Sequence, residues 1–341
     1  MDTQFQTIGL PLLAAAAAFV AALVLGKIFI PMLRALKAGQ SIREIGPSWH
    51  NSKAGTPTMG GIIFIVAAAV VMIVAGWPQM KQGHYEHLFV LGFSLVFGII
   101  GFIDDYVKVK LKRNLGLTAL QKFALQLAAA ACYLALLRWS GHLTCDLYIP
   151  FLNRTVYINW IVYLIFAMFV IVGCVNAVNL TDGIDGLATG VTMPVMAFFA
   201  VMAAIWSVFR ETNVSPAMTL FPASLFGGLA GFLVYNFHPA KVFMGDTGSL
   251  FLGAAVCGMA FAMDMPLVLI LVGLIYIIET VSVILQVGYF KLTHGKRIFK
   301  MTPIHHHFEM CGWSEVKIFT VFTVITLLCC VAAFFGVSGR Y

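Results

Sequence analysis

The sequence predicts an all-α integral membrane protein of about ten transmembrane helices, with both termini outside and a small outer β-hairpin near residues 145–158. Three observations predict it: the composition, the lengths of the apolar stretches, and the uneven share of Lys and Arg between alternate connections. The chain is 61% hydrophobic and 10% charged, against roughly 25% charged in soluble domains. A bundle of many spans folds as one unit, so residues 1–341 are expected to form a single polytopic membrane domain.

A hydrocarbon core about 30 Å thick needs roughly 20 apolar residues per helix. Stretches meeting that need lie near residues 8–33, 59–77, 88–106, 119–138 and 157–175, then 187–208, 219–237, 248–264, 266–289 and 316–337. The first follows Asp2 and runs from Ile8 to Leu33. That is longer than the roughly 7–15 residues of a signal-peptide core, so it reads as a retained span.

Ten spans put both termini on one side, and the basic residues say which. Segments 34–56, 107–117, 238–247 and 290–300 hold 13 Lys and Arg residues, while the opposite connections and the C-terminus hold 5. The first set is expected to face the cytoplasm, with site loops at 34–58, 104–118, 176–187, 238–248 and 290–315. The net charge of +7 then reflects topology, and no nucleic-acid partner is expected. In the outer segment 145–158, β-prone residues alternate on either side of a Pro150–Arg154 turn, which predicts the hairpin. The seven cysteines fall mostly in apolar runs and form no CxxC pair, so they read as small core residues rather than zinc ligands or a disulfide framework.

Against this apolar background the acidic motifs stand out, and all of them sort to the cytoplasmic side. Asp104 and Asp105 end the third span in GFIDDYVK. Two adjacent carboxylates repel unless a cation or a proton intervenes. Lys108 could pair with Asp104 at i,i+4. Magnesium fits best as a shared cation, because it binds through one or two carboxylates together with substrate phosphates. NAVNLTDGIDG brings Asn176, Asn179, Thr181, Asp182 and Asp185 to one turn, where Gly183 and Gly186 let backbone approach a ligand. In VFMGDTGSL, Asp246 would hold the metal beside a helix N-terminus suited to phosphate, capped by Thr247 or Ser249, and Phe243 could stack on a base.

The remaining polar signals are looser. His305, His306 and His307 lack the spacing of a zinc helix, and in an irregular loop they could donate to phosphate or shuttle protons. Segment 49–61, with Lys53, Thr56 and Thr58 among glycines, reads as a phosphate or nucleotide contact loop. Lys122 either snorkels to the interface or faces the acids. Glu279 lies inside the ninth span, followed by Ser282 and Gln286; an intramembrane carboxylate reads by default as part of a functional site, or else as the mark of a bend.

Taken in order, GTPTMGG, FIDDYVK, NAVNLTDGIDGL, FMGDTGSL and PIHHHFE resemble the polyprenyl-phosphate N-acetylhexosamine-1-phosphate transferases. The first and last point to the branch of phospho-N-acetylmuramoyl-pentapeptide transferases of bacterial cell-wall (peptidoglycan) synthesis. The resemblance implies a ten-helix homodimer in the bacterial cytoplasmic (inner) membrane that depends on Mg2+. The implied reaction takes UDP-N-acetylmuramoyl-pentapeptide and undecaprenyl phosphate to lipid I and UMP. It implies Asp246 as a magnesium ligand, with Asp104 and Asp105 as further candidates, and Asp104 as the base that deprotonates the lipid phosphate. Asp105, Lys122 and His305 would complete the catalytic set. Asp182, Gly183, Ile184, Asp185, Asn236 and Phe243 would surround the uridine, and Lys53, Thr58, Asn176, Asn179, Gln286, His305 and His306 would line the rest of the donor site.

Two other functions fit less of the sequence. A sister enzyme using UDP-N-acetylglucosamine would share the acidic motifs but not PIHHHFE. An ion-coupled transporter would place its acids near the bilayer midplane, often in internal repeats. Here the acids gather at one interface and the chain has no repeat.

Overall fold

The computed structural model describes residues 5–36, 55–111, 115–209 and 214–337. Among them are ten helices long and apolar enough to cross a membrane. A π-helical turn, Phe5–Gly9, runs into α1 (Leu10–Ala35). Then come α2 (Gly61–Met80), α3 (Glu86–Leu111), α4 (Ala119–Trp139), the strands β1 (Asp146–Ile149) and β2 (Arg154–Tyr157), and α5 (Trp160–Thr181). The second half holds α6 (Leu187–Phe209), α7 (Leu220–Asn236), α8 (Gly245–Ala262), the one-turn α9 (Leu269–Val272), α10 (Leu274–Leu292), α11 (Ile304–Met310) and α12 (Glu315–Gly336).

Local chemistry sets several boundaries. Thr118 and Gln121 exchange bonds in a capping box that starts α4. Asn159 and Ser314 accept backbone N–H bonds at the starts of α5 and α12. The apolar run expected near 266–289 is interrupted. Pro266 opens a 3-10 turn, and Gly273 separates α9 from α10. The three histidines, expected in an irregular loop, lie instead on α11.

The hairpin is antiparallel, with Asp146 opposite Tyr157 and Ile149 opposite Arg154. Its turn is pinned to the end of α12, where the Phe151 N–H donates to the Gly336 carbonyl at 2.7 Å. Thr144, just before β1, donates its hydroxyl to Asp264 at 2.7 Å, which ties the hairpin to the end of α8. Arg138 stacks over the Trp160 ring at 4.2 Å and joins α4 to the start of α5.

The centre of the bundle is α8. Every residue from Thr247 to Ala262 is buried, and α3, α5, α2 and α6 pack around it. Its sequence explains the placement: Gly and Ala recur along it, and small residues let helix backbones approach closely in a membrane. The approach is tightest at Gly101 of α3, where a Cβ would overlap the Asp246 carbonyl and the Thr247 nitrogen. Contact at that point fixes the start of α8 against the end of α3.

Candidate active site

Where α3 and α8 meet, three carboxylates come together. Ligand oxygens of Asp104, Asp105 and Asp246 lie within 4.8 Å of one another. Helix α3 does not stop at these aspartates but continues to Leu111, so Lys108 stands one turn beyond Asp104 on the same helix. Its ammonium is 2.6 Å from Asp104 and 2.9 Å from Asp246. From α4, Lys122 reaches the same Asp246 oxygen at 2.8 Å. Asn179 on α5 donates to the other Asp246 oxygen at 2.8 Å and to Ser249 at 2.7 Å. Asp246 is therefore the hub, held by two cations and an amide from three different helices.

The other two aspartates are held differently. Asp104 accepts the Leu117 N–H at 2.8 Å, which fastens the connection into α4 over the cluster. Asp105 accepts from the backbone N–H groups of Asp246 at 3.2 Å and Thr247 at 2.9 Å, and from the Thr247 hydroxyl at 2.7 Å. The start of α8 is thus served by a carboxylate on α3 and not by Thr247 or Ser249, the caps expected from sequence. Thr247 spends its hydroxyl on Asp105, and Ser249 donates to the Gly245 carbonyl at 3.1 Å. Asp105 uses both oxygens on one task, holding the first turn of α8 where Asp246 sits.

The donor set suits a hard cation. All three side chains offer oxygen, the ligand that magnesium takes. The Lys108 ammonium already lies between Asp104 and Asp246, so the geometry accepts positive charge between those two. Asp246 and Asp104 are the better placed to hold a metal, because both Asp105 oxygens bond to α8.

The turn between α5 and α6 borders this cluster. Asp182 is half-buried, Gly183 is exposed, and Ile184 and Asp185 are buried. Burial holds the Asp182 carboxyl well above the ordinary carboxylate range, and the negative charges of Asp246, Asp105 and Asp185 push the same way. Asp185 accepts from His238 at 2.9 Å and from the Ala240 N–H at 3.0 Å, so it ties the 238–244 connection to the turn. Its own N–H donates to Glu315 at 3.0 Å, and Asp185, His238 and Glu315 form a second compact polar group.

Several expected site residues brace backbone in this structure. Asn236 accepts from Thr189 at 2.8 Å and donates to the Val242 carbonyl at 3.0 Å, which sets the path toward Phe243. Phe243 is half-buried, and its N–H donates to Pro57 at 2.9 Å. Thr58, on the same segment, lies beside Gly245. Gln286 accepts the Ile298 and Phe299 N–H groups at 3.0 Å and donates to the Phe299 carbonyl at 3.1 Å. Asn176 donates to Gln126 and to the Val172 carbonyl, both at 2.8 Å. His306 bonds Glu309 at 2.6 Å, and His305 bonds Glu279 at 3.0 Å. Lys53 lies outside the described residues.

Other members of the site were not singled out from sequence. His238, Glu315 and Gln126 carry no motif signal, because their partners are distant in sequence, and Glu309, at the end of PIHHHFE, pairs with His306 only because the two lie on a helix the sequence does not predict. Lys108 did carry one, its i,i+4 spacing to Asp104, but its reach to Asp246 depends on α8.

Comparison with known proteins shows the family of the chain. Residues 87–264, from the start of α3 to just beyond α8, match the model of glycosyl transferase family 4. Residues 53–65 match the phospho-N-acetylmuramoyl-pentapeptide-transferase signature 1. The chain is 49% identical over 319 residues to the phospho-N-acetylmuramoyl-pentapeptide-transferase of Clostridium beijerinckii, covering 93% of each chain. It is 47% identical over 318 residues to that of Clostridium botulinum (strain Alaska E43 / Type E3), again 93% of each. With the Acetivibrio thermocellus protein of the same name it shares 46% over 329 residues, 95% of this chain and 94% of the other. Likeness over nearly the whole length, across every helix that contributes to the cluster, means that the chain belongs to the phospho-N-acetylmuramoyl-pentapeptide-transferase family.

Proposed function

We propose that the protein transfers phospho-N-acetylmuramoyl-pentapeptide from its UDP donor to undecaprenyl phosphate, giving lipid I and UMP. The observation that carries the reading is Asp246, held by Lys108, Lys122 and Asn179 beside Asp104 at the boundary of a membrane bundle. Phosphoryl transfer depends on positioning and charge neutralisation more than on covalent chemistry by the protein. Lys108 and Lys122 supply fixed positive charge for a diphosphate, and the α8 N-terminus beside them favours anions.

In this mechanism Asp104 takes the proton of the lipid phosphate. The freed oxygen attacks the β-phosphorus of the donor, the bond from that phosphorus to the bridging oxygen breaks, and UMP leaves with the electron pair. Magnesium, held by Asp246 and Asp104, would neutralise charge on the diphosphate. The turn at Asp182–Asp185, with Asn236 and Phe243 behind it, takes the uridine. Lys53, Thr58, Asn176, Gln286, His305 and His306 flank the rest of the donor. The acceptor's chain stays in lipid while its phosphate reaches Lys122. The excess of Lys and Arg on these connections supports a position for this face in the cytoplasm, at a bacterial inner membrane. The chain acts as one membrane domain, and its working unit is a homodimer.

The test is UMP release in detergent from UDP-N-acetylmuramoyl-pentapeptide, undecaprenyl phosphate and magnesium. Wild type, Asp246→Ala and Asp104→Asn would be compared with and without EDTA. Magnesium-dependent release that both substitutions abolish is the expected result. Release only with UDP-N-acetylglucosamine would move the protein to the sister reaction. A phosphorylated enzyme trapped with donor alone would replace direct attack by a covalent two-step route.

A further inference from the structure

Glu279 and His305 form a buried pair, and Glu279 has no part in the transfer mechanism above. Glu279, in the second turn of α10, and His305, on α11, are both 0% exposed, and Glu279 Oε2 lies 3.0 Å from His305 Nδ1. With Glu279 ionised, its Oε2 accepts and the proton of this bond sits on Nδ1. The opposite ring atom, Nε2, is buried without a hydrogen-bond partner, as is Glu279 Oε1. Nε2 faces Gly183, where a Cβ would overlap it. Gly183 is itself exposed, between Asp182 and the buried Ile184. Backbone without a side chain is therefore all that separates the imidazole from the surface of the turn. A polar ring held by a buried carboxylate and pressed against bare backbone costs desolvation that packing alone would not require.

We propose that Glu279 is a positioning residue for the transfer reaction. It holds His305 by Nδ1, so that Nε2 supports the Gly183 turn from behind and keeps its outer surface in the shape that seats the sugar nucleotide. This rests on the transferase reading above. The two parts are divided in a definite way: Glu279 acts only through His305, and His305 acts only on the nucleotide side of the site. Lys122 and Asp104, on the acceptor side, belong to α4 and α3 and pair with Asp246 and Lys108.

The test uses Glu279→Gln, Glu279→Leu, His305→Ala and the double variant Glu279→Leu/His305→Ala in the full-length protein. KM for each substrate, kcat and the affinity for UMP would be measured. Glu279→Leu is expected to raise KM for the UDP donor and weaken UMP binding by about 10- to 100-fold, the size of loss seen when a metal-bound histidine is deprived of its orienting partner. KM for undecaprenyl phosphate stays unchanged, Glu279→Gln gives a smaller loss, and the double variant is no worse than His305→Ala. Selective 15N labelling of histidine adds a readout independent of turnover. His305 is expected to carry its proton on Nδ1 in the wild type and to lose that signature in Glu279→Leu. Donor and acceptor KM rising together, additive losses in the double variant, or an Nδ1 signal unmoved by Glu279→Leu would each overturn the proposal. If wild type released no UMP, the transferase reading would fail instead, and the 15N result would still decide the pairing.

Discussion

Asp105 offers the sharpest separation of structure from chemistry. If its role is to hold the start of α8, Asp105→Ala strips partners from two backbone N–H groups and one hydroxyl in a buried setting. Each buried group left unsatisfied costs about 1–3 kcal/mol, and neighbouring losses overlap, so about 2–4 kcal/mol of stability should go. Asp105→Asn keeps one acceptor oxygen but turns an NH2 toward α8, and should cost about half as much. Thr247→Val removes only the hydroxyl bond and should cost about 1 kcal/mol. Because Asp105 and Thr247 share a bond, the double variant Asp105→Asn/Thr247→Val should be less destabilised than the sum of the singles. Unfolding in mixed SDS micelles, followed by tryptophan fluorescence, measures these differences, with UMP release assayed in parallel on folded protein. Turnover should fall with stability, since Asp246 sits on the turn that Asp105 secures. An Asp105→Asn protein as stable as wild type but without turnover would refute the argument and return Asp105 to the chemical step.

Two further outcomes follow from close packing and from bracing. Gly101→Ala drives a methyl group into the Asp246 carbonyl and is expected to cut turnover more than tenfold with a lowered melting temperature, whereas Gly92→Ala, which meets nothing within 4 Å on the same helix, leaves both unchanged. Gln286→Ala releases three bonds to Ile298 and Phe299 and should speed tryptic cleavage at Lys296, Arg297 and Lys300 severalfold, read by gel, without lowering the global melting temperature.

Much of the fold is legible in the sequence because the bilayer imposes it. Apolar run length locates the spans, and the alternation at 145–158 locates the hairpin to within a residue or two. The sequence reads less well where polar groups decide the backbone. Pro266 and Gly273 break what looks like one long apolar run, and three histidines that suggest a loop form a short helix. Within the site, motifs deliver Asp104, Asp105, Asp182, Asp185 and Asp246 to one neighbourhood, but not the division of labour among them. That Asp105 bonds α8 while Asp246 gathers the lysines depends on the crossing of α3 and α8, set by Gly101 and invisible to spacing. Glu279 shows the same limit: its burial was readable, its partner on α11 was not.

The enclosure of α8 also bears on how the chain enters the membrane. Of the ten candidate spans it is the least apolar, and its first turn carries Asp246, Thr247 and Ser249. Such a segment gains little from lipid on its own, since charged and hydroxyl groups are costly there. Helices α2, α3, α5 and α6, which surround it, all precede it in the chain. By the time the ribosome has made α8, its neighbours have been made, and the Asp105 carboxylate and the two lysines are waiting for its polar end. On this order α8 would dock into a half-built bundle, and the order of synthesis would be part of what makes so polar a span tolerable.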